Sequence, residues 1–164
     1  MKMKVIVWSI IIILLISIGL LIVYIRLSRL KKPPNLMVRC SAGTKKWEKE
    51  ATLGVYRWSW FGGAVQTESM SPLEMEERGL ITTFLIDSRD AYITLYFPQS
   101  EVRFSVDSES ITGDELETIT SSSNVSKNKK SYSFIAKINY VYTVNVEYKN
   151  GTVTYAFAVK PDNY

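Results

Sequence analysis

The chain has no histidine and only one cysteine, Cys40, among its 164 residues. Without His there can be no Ser-His-Asp or Cys-His catalytic pair and no His-containing zinc site, and one Cys cannot close an internal disulfide. The sequence also shows no phosphate loop, dinucleotide fingerprint, nucleophile elbow or convergent acid pair. It therefore offers no candidate catalytic residue, no metal ligand set and no cofactor site. A Ser-Lys dyad or a carboxylate pair works without His, so an enzyme stays as a rival class.

What the chain does have begins with residues 5–25, a 21-residue run without a charge, sixteen of them Ile, Leu or Val. At about 1.5 Å per residue such a helix reaches roughly 31 Å, the thickness of a bilayer core. A cleavable signal would be shorter and would end in small residues, whereas this run ends in Tyr24-Ile25-Arg26-Leu27. The expectation is a basic head at 1–4, a single transmembrane helix at 5–25, a basic, Pro-rich linker at 26–35, a folded domain at 36–160 and a short tail at 161–164. Lys31-Lys32-Pro33-Pro34-Asn35 reads as an extended, stiff spacer.

The net charge of +4 does not describe that domain. Residues 1–34 hold six Lys or Arg and no acid, and the remaining 130 hold 14 Lys or Arg against 16 Asp or Glu. The domain thus offers no excess positive charge to a phosphate backbone, and nucleic acid is not an expected partner. The expected partner is the lipid bilayer, through 5–25. Orientation is open: Lys2 and Lys4 face four positive residues at 26–32, which on count alone leans toward a cytoplasmic domain, while a short basic head before a very apolar first helix commonly stays inside.

From Leu36 onward the pattern has period two. Strands are predicted at 36–40, 52–60, 80–86, 91–97, 102–106, 132–138, 140–149 and 152–160. Asn150-Gly151 suits a two-residue type I′ turn, which pairs Tyr148 with Val153, Val146 with Tyr155, Val144 with Phe157 and Tyr142 with Val159 on one face. A short helix is expected at 72–77, capped by Ser71. Residues 120–131 read as a mobile loop, and the carboxylates of Asp107, Glu109, Asp114, Glu115 and Glu117 as a solvated loop that misses the EF-hand template. The fold class is all-β: an antiparallel two-sheet, immunoglobulin-like sandwich behind one N-terminal transmembrane helix.

The segment Gly54-Val55-Tyr56-Arg57-Trp58-Ser59-Trp60-Phe61-Gly62-Gly63 is the most distinctive. In a strand Tyr56, Trp58 and Trp60 share a face, and they form either a core stripe or an aromatic platform. Tyr56 and Trp58 read as core. Trp60, Phe61, Gly62 and Gly63 form the candidate partner-binding rim, because aromatics bordering glycines let another backbone approach. Cys40 reads as a buried apolar residue, with a link between two chains as the alternative.

The Gly-x-Tyr-x-Trp pattern at 54–58, Ser-Pro-Leu at 71–73 and the closing Asn-Gly hairpin ending in Tyr155-Ala156-Phe157-Ala158-Val159-Lys160 resemble a loose group of small, uncharacterised, membrane-anchored envelope proteins of Gram-positive bacteria. Members of that group often carry a Cys beside the Trp and a second soon after. Here Arg57 precedes the Trp and no second Cys follows, so that cross-link is missing. The resemblance implies an envelope-facing β domain and supplies no catalytic residues. The expected function is a non-enzymatic, extracytoplasmic binding or accessory module at the cell membrane, with an envelope protein or glycan as partner. The alternative is a membrane-tethered domain on the cytoplasmic side.

Overall fold

The structure, a computed structural model, describes residues 2–29, 32–60, 63–87, 91–99, 102–113, 115–124 and 130–162, without the side chains of 2–7, 9–10, 25–29 and 121–124. An N-terminal helix, α1, spans Lys2–Arg29. Eleven strands and one short helix follow: β1 Met37–Ala42, β2 Lys45–Glu50, β3 Thr52–Trp60, β4 Gly63–Thr67, α2 Pro72–Glu77, β5 Thr82–Ile86, β6 Ala91–Tyr96, β7 Arg103–Ser110, β8 Leu116–Asn124, β9 Ser131–Ala136, β10 Tyr140–Tyr148 and β11 Gly151–Pro161.

They form two packed sheets. The smaller has the order β2-β1-β6-β9, and the larger runs β4-β3-β11-β10-β7-β8. All the pairings are antiparallel except one, β5 running parallel to residues 157–161 of β11. On the same edge of β11, residues 151–156 pair with β3. Alternate residues of both sheets fill the space between them, with Val38, Cys40, Ile93 and Leu95 from one and Val106, Val144, Tyr155 and Phe157 from the other all fully buried.

Among the described residues no helix is long and apolar enough to cross a membrane, so the structure does not carry the expected span over 5–25.

The closing hairpin keeps the expected faces and shifts its register by two residues. Val146 pairs with Val153, Val144 with Tyr155, Tyr142 with Phe157 and Tyr148 with Gly151. Lys149 and Asn150 therefore make the turn, and neither has a positive φ, which rules out type I′. Asn150 is engaged with the neighbouring strand instead: its amide donates to the Ser59 carbonyl at 3.0 Å, and its own carbonyl accepts from Ser59 N at 2.8 Å. A shift of two preserves the inward row, whereas a shift of one would have turned it outward.

Other expectations are corrected too. Residues 120–124, read as loop, belong to β8, while 125–129 lie outside the described residues. The acidic positions Asp107, Glu109 and Glu117 stand on β7 and β8 rather than in a loop, and Asp114 lies outside the described residues. The linker is not a free spacer. Pro33 is buried, Leu36 is fully buried, and the Pro34 carbonyl accepts a hydrogen bond from the Tyr155 hydroxyl. Helix α2 matches its expectation, with Ser71 Oγ accepting from Glu74 N at 3.2 Å as its N-cap.

Candidate functional site

The aromatic segment divides as its alternation demands. Trp58 is only 2% exposed, sits between the sheets and meets Tyr148 edge-on at 5.7 Å between ring centroids. Trp60 is half-buried and packs against the same core. It pairs across the strands with Gly63, where an added Cβ would lie 2.8 Å from the indole Cζ2. The missing side chain at Gly63 is thus what seats the Trp60 ring, so part of the candidate rim is occupied by the protein itself. Phe61 and Gly62 lie outside the described residues.

A second arrangement was not legible in the sequence. The outer face of the large sheet has two halves. Over one, α2 lays Met75 and, with Ile81, covers Val141, Ala156 and Ala158. Among the described residues no helix lies over the other half, where an open depression of about 350 Å³ is lined by Arg103, Ser105, Asn145, Glu147, Thr152 and Thr154. Sheet register assembles this set: Glu147 stands between Arg103 and Thr152, and Asn145 between Ser105 and Thr154. A β-bulge lies beside it. Residues 54 and 55 of β3 together oppose Thr154, and Gly54 allows the approach, since a Cβ there would sit 3.2 Å from the Thr154 carbonyl oxygen.

The polar groups of the depression are ordered by one another. Asn145 Oδ1 accepts from Thr154 Oγ1 at 2.9 Å, and its Nδ2 donates to Asp107 Oδ2 at 3.4 Å. Arg103 lies 3.4 Å from Glu147. Such a surface offers hydroxyl, amide, guanidinium and carboxylate groups in a fixed pattern, which suits a ligand rich in hydrogen-bonding groups. At the far end of the same sheet Glu117 and Glu115 pair with Lys137 at 2.7 and 3.5 Å. The hydrogen bond from Tyr140, helped by Lys137, holds the Glu115 carboxyl below its ordinary range, and the hydrogen bond that Lys137 donates to Glu117 raises its ammonium. These carboxylates already have partners, and among the described residues no group of side chains could hold a metal ion.

Cys40 is fully buried, so it takes the core role and cannot reach a second chain in the folded state. Burial pushes its thiol up from 9.0 to about 11. Burial likewise raises Tyr142 from 10.0 to about 12, although its hydroxyl accepts from Lys137 N at 2.6 Å, and it raises Tyr148 and Tyr155. In each case the folded state keeps a proton that the unfolded chain releases at lower pH. Stability is then complete below about pH 9 and declines as the pH climbs through 9 to 12. Denaturation midpoints should fall over that window, and Cys40→Ala should remove part of the fall between pH 9 and about 11. A flat profile from pH 8 to 11 would contradict the buried, protonated thiol.

No family model, curated protein or solved structure matches the chain, and the resemblance to Gram-positive envelope proteins rests on its short sequence motifs.

Proposed function

We propose that the protein is a non-enzymatic binding module tethered to the cell membrane by its N-terminal helix, with its β-sandwich on the extracytoplasmic side. The observation that carries the binding role is the half-covered outer sheet face: α2 shields the apolar half, and the other half presents Arg103, Asn145, Glu147 and Thr154 around an open depression. The ligand this favours is an envelope glycan or an extended peptide, both dense in donors and acceptors. The tether is supported by the uncharged run at 5–25 of the sequence and by the exposed, uncharged side chains of α1 from Ile11 to Tyr24. The finer immunoglobulin-like reading draws support from Trp58 between the sheets and from Tyr142, whose hydroxyl folds back onto the Lys137 backbone. The parallel β5 departs from that pattern.

Calorimetric titration of the full chain in detergent with cell-wall glycan fragments tests the binding role. Binding that weakens at least tenfold in Asn145→Ala, with an unchanged melting midpoint, is the expected result. Equal binding by the variant would remove the depression as the site. The flank charges favour a second, cytoplasmic placement. Protease added to intact cells decides between the two, since an extracytoplasmic domain is digested and a cytoplasmic one is protected until lysis.

A further inference from the structure

The chain enters the sandwich at one end, and that end differs in charge from the other. Pro34 is held by the Tyr155 hydroxyl, which also lies 3.3 Å from the Tyr148 hydroxyl, next to the Lys149-Asn150 turn. Asn35 donates to Glu50 at 2.9 Å, and Ala51 N to the Leu36 carbonyl at the same distance. From there β1 runs away from this end. Only residues 30–32 separate the last helical residue, Arg29, from buried Pro33, a reach of no more than about 14 Å. Whatever surface holds α1 therefore lies close to this end of the domain.

The same end gathers exposed cations from separate parts of the chain: Lys32 at the entry, Arg57 opposite Thr152, Lys130 before β9 and Lys149 in the hairpin turn. Trp60 closes β3 there. Among the described residues the acids facing this end are Glu147, which neutralises Arg103, and Glu50, bonded to Asn35. The opposite end carries Asp87, Glu109, Glu115, Glu117 and Asp162 beside Lys45, Lys46, Lys137 and Lys160, and Lys160 is paired with the buried Glu76, so acids outnumber cations there. We infer that the entry end rests on an anionic lipid surface, its lysines and arginine against the headgroups and Trp60 at the interface, with the acidic end held away. This rests on the tether reading above. It gives the domain a fixed attitude, in which the depression at Arg103 and Glu147 lies on the flank nearest the bilayer.

The test uses the full chain in vesicles of neutral lipid or of neutral lipid with about 30% anionic lipid, in a Cys40→Ala background. A fluorophore is placed by Gln99→Cys at the entry end or Thr112→Cys at the far end, with an acceptor dye in the bilayer. The expected result is at least threefold stronger quenching at 99 than at 112 in anionic vesicles. It should drop toward the value at 112 in 0.5 M salt or with K130E and K149E together. Equal quenching at the two positions, or no response to lipid charge, overturns the inference. A carbonate wash separates the readings: release of the chain removes the tether, while flotation before the wash that needs anionic lipid and is lost in K130E/K149E still supports the surface contact.

Discussion

Trp58→Ala is expected to cost the domain about 3 to 5 kcal/mol, enough to consume much of a typical domain's stability. The indole is 2% exposed and closes the core with Tyr148 at its edge. The rigid sheets cannot collapse into the space it leaves, so both the transfer term and the cavity term are lost. Trp60→Ala, at a half-buried ring resting on Gly63, should cost about 1 kcal/mol. Denaturant midpoints followed by near-ultraviolet circular dichroism separate the two. Comparable large losses would make the β3–β4 hairpin as much a part of the core as Trp58 and remove Trp60 as a contact residue.

Gly151→Ala should be at least as damaging, with a loss above about 3 kcal/mol. A Cβ at Gly151 would stand 1.9 Å from the Arg57 carbonyl oxygen and 3.1 Å from Trp58 Cα, and its φ is +147°. Both neighbours are backbone atoms of a paired strand, so relief requires β3 to move off β11. Hydrogen exchange at the β3 amides should accelerate along with the fall in melting temperature. Gly43→Ala is the control: φ there is +56° with open space around the site, so only the left-handed penalty of about 1 to 2 kcal/mol applies. Equal effects at the two glycines would show that backbone contact at Gly151 is not limiting.

All eight strands read from alternation exist, because each buries one face against the other sheet. The three that were missed, β2, β4 and β8, stand at sheet edges or hairpin rims where burial imposes no alternation. β2 reads Lys-Lys-Trp-Glu-Lys-Glu, yet its polarity has a structural use. Lys49 Nζ donates to the Thr83 carbonyl at 2.7 Å and Lys45 reaches Asp87 at 2.8 Å, tying the small sheet to β5 and to the residue that follows it. Charges placed this way also keep a free edge from pairing with another chain. The hairpin register was missed because Asn150 binds Ser59, a tertiary contact that local turn preference cannot foresee. Aromatic residues made Trp60 visible as a candidate. The depression stayed hidden because Ser105, Asn145 and Thr154 look like an ordinary solvent face until register sets them side by side.

The placement of β11 also sets a timetable for synthesis. It is the last described strand to leave the ribosome, yet it joins β10 on one edge to β3 and β5 on the other. The 90 residues between β3 and β11 take about 5 to 20 seconds to translate. During that interval β3 has only β4 beside it, so Tyr56 and Trp58 lack the β11 edge against which they settle in the finished sheet. A message truncated before Gly151 would leave β3 and β10 permanently without β11 between them, a substrate for proteases rather than a shorter working protein.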